Sequence, residues 1–317
     1  MQFARSVPTR LWGRDAAQMN AMAAARENTR YLPGARFPDG LESGADLAAA
    51  LQGVRDVVVV VPSHAFGAVL TEVAPLLGPG ARIAHAVKGF EAGTGRLPHE
   101  VLREAVGPGV PTAVLSGPTF AREVAANLPT AIVAATTDDA FADALTRALH
   151  HGHFRTYTTN DVVGVEVGGA VKNVLAIAAG ISDGLGFGAN ARAALITRGL
   201  SEIVRLGAAL GGRRETFLGL AGIGDLVLTC TDDQSRNRRF GLALGRGAER
   251  DAALREIRQV VEGIGAAAET VRLAGRHRVD MPISAQVHTI VDGGVSPRDA
   301  FAALMAREPK AETYAPR

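Results

Sequence analysis

The chain has 317 residues, 47% of them hydrophobic and only 5% aromatic. That is length enough for two domains and apolar enough to exclude disorder. A formal charge of +2, from 34 basic and 32 acidic residues, gives no mandate for a nucleic-acid partner, and a local anion site would satisfy it equally well. The single cysteine, Cys230, excludes an internal disulfide and suits a reducing compartment, and the opening Met1-Gln2-Phe3-Ala4-Arg5 has no apolar signal segment.

In chain order, residues 7–12 read as a short strand and 16–25 as a helix. Residues 56–61 are an aspartate followed by five valines and then a proline, which predicts a strand buried on both faces. A helix over 65–77, a strand over 82–87, a helix over 98–105 and strands over 112–115, 130–134 and 155–158 follow. Strands alternating with helices predict an α/β domain over residues 1–161, built on a doubly wound parallel sheet of Rossmann-like type. From Val162 the strand signals stop, and apolar residues recur at helical spacing through Leu210, over 248–261 and over 265–275. Residues 162–317 therefore read as an all-α domain, with the boundary at the polar Thr158-Thr159-Asn160-Asp161. Glu166, Lys172 and Asn173 interrupt the long apolar run after Val162, which predicts a buried helix and no membrane insertion. The tail from Arg307, polar and carrying Pro309 and Pro316, is expected to fray.

Ligands of open α/β sheets bind outside the carboxyl ends of the strands. The segments there are Gly13-Arg14-Asp15, Pro62-Ser63-His64, Lys88-Gly89 and Ser116-Gly117-Pro118-Thr119, which gather glycines, hydroxyls and cations on one rim. Arg14 stands where such sheets meet the adenosine ribose, and an arginine there accommodates a 2′-phosphate, tilting the choice towards NADPH over NADH; an arginine that merely faces water is the plainer alternative. A sheet of this kind ordinarily opens with a strand, a G-x-G-x-x-G turn and a helix before a strand like 7–12, and the chain contains no G-x-G-x-x-G. Either Met1 is internal to a longer natural chain or the protein has lost its nucleotide; the intact rim favours the first.

In the helical half, Lys172 follows Gly168 and Gly169 by one turn, which leaves room for a ligand against the amine or, equally, for a close helix contact with the lysine snorkelling outward. Asp225 follows Gly222-Ile223-Gly224, a place where carboxylates serve most often as turn or cap residues. Ser235-Arg236-Asn237 reads as a helix opening capped by Ser235, where free amides, the positive helix end and Arg236 suit a phosphate. A solvated basic face is the bland alternative, and the lack of an aromatic platform argues against nucleic acid. Asn190 is expected to cap the helix running to Leu210. His150, His151 and His153 lack a carboxylate or cysteine at ligand spacing, so no metal site is expected.

Taken together, Leu11-Trp12-Gly13-Arg14-Asp15, Val60-Val61-Pro62-Ser63, Lys88-Gly89-Phe90-Glu91, Ser116-Gly117-Pro118-Thr119-Phe120-Ala121, Gly168-Gly169-Ala170-Val171-Lys172-Asn173-Val174, Gly186-Phe187-Gly188-Ala189-Asn190, Gly222-Ile223-Gly224-Asp225-Leu226 and Ser235-Arg236-Asn237 resemble bacterial NAD(P)-dependent glycerol-3-phosphate dehydrogenases. They fall in family order over nearly the whole chain; only the Gly-rich opening is absent. The resemblance implies reduction of dihydroxyacetone phosphate to glycerol 3-phosphate with NADPH or NADH. It implies that Lys172 is the proton donor and acceptor, and that Lys88, Gly117, Thr119, Lys172, Asp225, Ser235, Arg236 and Asn237 bind substrate. It places the cofactor on Arg14, Lys88, Ala121, Arg236, Val260 and Glu262. It further implies a homodimer in the cytoplasm supplying phospholipid synthesis. A lysine with an ordinary pKa of about 10.4 holds its proton too firmly, so burial and a second cation such as Lys88 are expected to lower it, while Asp225 pulls the other way and orients the amine. Two alternatives are a dehydrogenase of the same plan acting on a hydroxy acid and a truncated, non-catalytic relative.

Overall fold

A computed structural model describes residues 1–308; the part of the tail beyond them, expected to fray, lies outside the described residues. The first half alternates as β1 (Thr9–Trp12), α1 (Ala16–Ala25), β2 (Leu41–Gly44), α2 (Leu47–Leu51), β3 (Asp56–Val59), α3 (Phe66–Val73), β4 (Arg82–His85), α4 (Pro98–Val106), β5 (Thr112–Ser116), α5 (Ala121–Ala125), β6 (Thr130–Ala135), α6 (Asp139–Leu149) and β7 (Phe154–Thr159). The strands form two sheets. β1 pairs with β2, and β3-β4-β5-β6-β7 lie side by side in that order. All neighbours are parallel except β5 and β6, which run antiparallel, so the expected parallel sheet holds apart from that pair.

One expectation is overturned in β3. Only Val59 of Asp56–Val59 is buried, and Val60 beyond it is 70% exposed. The strand pairs with β4 on one edge, and its other edge has no ladder partner among the described residues. All four residues of β4 are buried, because a strand and packed helices cover it on every side.

The second half is helical: α7 (Val162–Gly184), α8 (Gly188–Ala209), α9 (Arg214–Phe217), α10 (Asp225–Thr231), α11 (Arg236–Gly245), α12 (Arg250–Ile257), α13 (Glu262–His277), α14 (Pro282–Val291) and α15 (Pro297–Met305). The helical stretch through Leu210 is divided where Gly186 and Gly188 both take positive φ. α8 therefore starts at Gly188, and Asn190 sits inside its first turn instead of capping it.

α7 is the axis of this half. It is long and apolar enough to cross a membrane, but 89% of its apolar window is buried inside the protein. Asp161 caps its start by accepting from the Gly164 N–H at 2.9 Å. α11 crosses it so closely that a Cβ on Gly180 would run into the Arg238 carbonyl, and one on Gly241 into the Ile177 carbonyl. Both obstacles are rigid backbone. Gly241→Ala is therefore expected to lower stability by about 1–3 kcal/mol, the usual cost of overpacking a core. Urea unfolding checks this, and an unmoved midpoint would mean the helices can separate freely.

Candidate functional site

Four elements bring the predicted residues together. β4 ends at His85, and Lys88 follows in the loop; β5 ends at Ser116, and Gly117 follows with φ +142°. A Cβ on Gly168 of α7 would meet the Ala221 carbonyl at 2.7 Å, so glycine there lets the wide turn Leu220–Gly224 lie against the helix. That turn delivers Asp225 as the first residue of α10, with its carboxylate aimed inward.

The result is a buried charge cluster. Lys172 Nζ donates to Asp225 Oδ1 at 2.9 Å and to Thr229 Oγ1 at 2.7 Å. Lys88 Nζ donates to Asp225 Oδ2 at 2.6 Å and to the Gly117 carbonyl at 3.1 Å. One carboxylate thus serves two ammonium groups, and the Asp225 side chain is not spent on capping α10, whose N-cap is Gly224. Burial lowers the Lys172 pKa to about 8; Asp225 pulls it up, and Lys88 adds to the lowering. Burial would raise Asp225, but the two ammonium groups outweigh it and hold the carboxyl below its ordinary range.

Thr229 carries chemistry that the sequence reading did not single out. Its hydroxyl accepts from Lys172 and lies 2.6 Å from the Asp225 carbonyl. The available signal was spacing, since residues four apart on a helix share a face. Cys230, also buried beside the cluster, is pushed up to about 12 by that burial and stays a thiol.

A polar chain extends from the cluster. Asn173 Nδ2 donates to the Lys88 carbonyl at 3.0 Å, and Asn237 Nδ2 donates to Asn173 Oδ1 at 2.9 Å. Ser235 caps α11, its Oγ accepting from the Arg238 N–H. Arg236 in the next position is exposed, and its side chain makes no hydrogen bond or ion pair among the described residues. Thr119 Oγ1 turns back to the Gly117 carbonyl at 3.2 Å.

The residues assigned to the cofactor are spread more widely. Arg14 is exposed at the end of β1, Ala121 opens α5, and Val260 is exposed just before α13. Glu262, the first residue of α13, reaches across to the sheet, where it accepts from the Ser63 N–H at 3.1 Å and from Ser63 Oγ at 2.6 Å. The three histidines of 150–153 lie instead at the α6–β7 turn, His150 accepting from the Thr156 N–H, and His151 and His153 bonded to the carbonyls of Gln2 and Asn127.

A sheet with its ligand rim turned towards an amine–carboxylate pair in a helical domain defines the class: a nicotinamide-dependent oxidoreductase. Residues 2–142 match the family described as NAD-dependent glycerol-3-phosphate dehydrogenase N-terminus, and residues 161–302 match the corresponding C-terminus. The curated glycerol-3-phosphate dehydrogenase [NAD(P)+] of Idiomarina loihiensis is 54% identical over 98% of this chain and 94% of its own length. That of Photobacterium profundum is 55% identical over 95% of this chain and 90% of its own. The crystal structure of glycerol-3-phosphate dehydrogenase from Coxiella burnetii superposes with a TM-score of 0.91 at 49% identity, covering 94% of this chain and 91% of that one. The chain belongs to the NAD-dependent glycerol-3-phosphate dehydrogenase family.

Proposed function

We propose that the chain reduces dihydroxyacetone phosphate to glycerol 3-phosphate, with Lys172 as the proton donor. The observation that carries this is the lysine itself: buried, lowered to about 8, and held by Asp225 and Thr229. A bound nicotinamide supplies the hydride. As the carbonyl π bond breaks and a C–H bond forms at the carbonyl carbon, Lys172 gives its proton to the carbonyl oxygen, and the neutral amine recovers a proton from solvent. Asp225 fixes the direction of the amine, and Lys88, on the same carboxylate, keeps the pKa in a working range. Gly117 and Thr119 border the same space from the β5 side.

The substrate phosphate is assigned to the start of α11, where Ser235, Arg236 and Asn237 lie beside Asn173 and the uncommitted guanidinium adds charge to the helix end. Arg236→Ala is expected to raise KM for the phosphorylated ketone about tenfold or more with a smaller effect on kcat; an unchanged KM would move the phosphate elsewhere.

The glycines, hydroxyls and cations gathered on the rim support a nicotinamide nucleotide there. Ala121, Lys88, Arg236, Val260 and Glu262 are the further candidates to hold it. Asp15 is committed as the cap of α1, accepting from the Gln18 N–H at 3.0 Å, which leaves Arg14 as the available charge at the end of β1. That favours a 2′-phosphate, hence NADPH. The family resemblance further supports a cytoplasmic homodimer whose product feeds glycerophospholipid synthesis. The test is oxidation of NADPH and NADH with dihydroxyacetone phosphate and a panel of keto acids. Turnover of the phosphorylated ketone is expected; turnover of a keto acid alone, or of nothing, would overturn the reading.

A further inference from the structure

Six residues before Lys172, α7 buries a second carboxylate that the reaction does not use. Glu166 has no side-chain exposure. Its Oε1 accepts from the His99 N–H at 2.8 Å, and its Oε2 lies 2.6 Å from His99 Nδ1. Oε1 also lies 3.0 Å from His85 Nε2, out of line for a good hydrogen bond, and the His85 ring is 1% exposed with no aligned partner at either nitrogen. Burial would raise the carboxyl, but the two histidines outweigh it and hold Glu166 below its ordinary range.

The placement of this cluster matters more than its charge. His85 ends β4, three residues before Lys88, and His99 lies in the first turn of α4. Glu166 and Asn173 are seven residues apart, two turns along one face of α7. Asn173 holds the Lys88 carbonyl, and between the two contacts a Cβ on Gly169 would meet Ser116 Oγ at 3.2 Å and the Lys88 side chain at 3.5 Å. α7 is thus fastened at two heights, to the start of α4 through Glu166 and to the loop after β4 through Asn173. Lys172 leaves the helix on another face, towards Asp225. An axial slip or rotation of α7 would separate Lys172 from Asp225 while Lys88 stayed with the sheet.

We infer that Glu166, held by His99 with the His85 ring beside it, is a positioning residue that sets the register of α7 against α4 and the neighbouring sheet and thereby the Lys172–Asp225–Lys88 geometry. The inference rests on the catalytic role given above to Lys172. The test compares Glu166→Asp with Glu166→Gln in the full chain, at equal folded concentration. Aspartate keeps the charge but is one methylene short, so its carboxylate reaches the two histidines only if the helix moves. Glutamine keeps the length, and its amide can still accept from the His99 N–H and donate to a neutral His99 Nδ1. Glu166→Asp is expected to lower kcat about tenfold, to leave KM for NADPH within about twofold, and to displace the pH limb of Lys172. Glu166→Gln is expected to restore kcat to within about threefold.

A purely structural role would lower the melting temperature without touching kcat per folded molecule or its pH limb. Parental kcat in Glu166→Asp overturns the inference, and so does a Glu166→Gln enzyme as slow as Glu166→Asp. If Glu166→Asp does not fold, His99→Phe, which removes the side-chain partner of Glu166 Oε2 and keeps a ring in its place, is judged by the same kcat and pH-limb criteria. Absence of turnover in the parent chain would instead count against the proposed function.

Discussion

Lys172→Met is expected to reduce kcat about a thousandfold, within the range that a positioned general acid contributes, while the Kd for NADPH stays within about threefold. Methionine fills much of the same buried volume without a charge, so Asp225 keeps Lys88 as a partner and the fold is retained. The pH dependence sharpens the test. With a pKa of about 8, the parental lysine is an ammonium below that value and an amine above it. Ketone reduction needs the ammonium, so its kcat is level at lower pH and falls as pH rises through about 8; alcohol oxidation needs the amine and shows the opposite slope. Both limbs vanish in Lys172→Met. Steady-state assays in the two directions, with cofactor binding followed by fluorescence, decide it. Retained turnover would remove Lys172 from the chemistry.

Asp225→Asn is expected to be nearly as damaging and to fail differently. The carboxylate accepts from both ammonium groups, and an amide leaves the buried Lys172 and the half-buried Lys88 without their counter-charge. Removing one member of a buried ion pair costs about 3–5 kcal/mol of stability. Since Asp225 raises the Lys172 pKa, its loss moves the pH limb below 8. The lysine would then be largely an amine at neutral pH, and reduction is expected to slow by about a hundredfold or more. Urea unfolding and the pH profile measure the two effects separately. A limb that stays at about 8 would show that the carboxylate does not govern the amine.

Much of this arrangement was legible from residues alone. Lys172 after two glycines, Asp225 after a glycine turn and Ser235 before Arg236 were each recognisable as local signals, and the structure brings the first two together with Lys88. What escaped was non-local. β2, Leu-Glu-Ser-Gly, has almost no strand propensity and exists because β1 holds it. The antiparallel β5–β6 pair is invisible to an alternation pattern that registers elements but not their direction. Glu166 interrupted an apolar run, yet its partners lie 67 and 81 positions earlier in the chain, and nothing local marks His85 or His99 as facing it. Ser63 was seen as a rim residue; that it would receive Glu262 from the helical half depended on how the halves meet.

The interruption in the sheet bears on how the nucleotide is gripped. β1 and β2 are not laddered to β3, and they are moored to the larger sheet in part by Gln2, which donates to the Val124 carbonyl at 2.8 Å, and by Phe3 against its outer core. Arg14 rides on this lightly tethered lobe, while Lys172 is rooted in the most densely packed helix of the molecule. One end of the cleft is therefore expected to be compliant and the other stiff. Amide protons of β1 are expected to exchange with solvent sooner than those of β4, and under the proposed placement of the nucleotide part of its affinity would be spent on quieting that lobe.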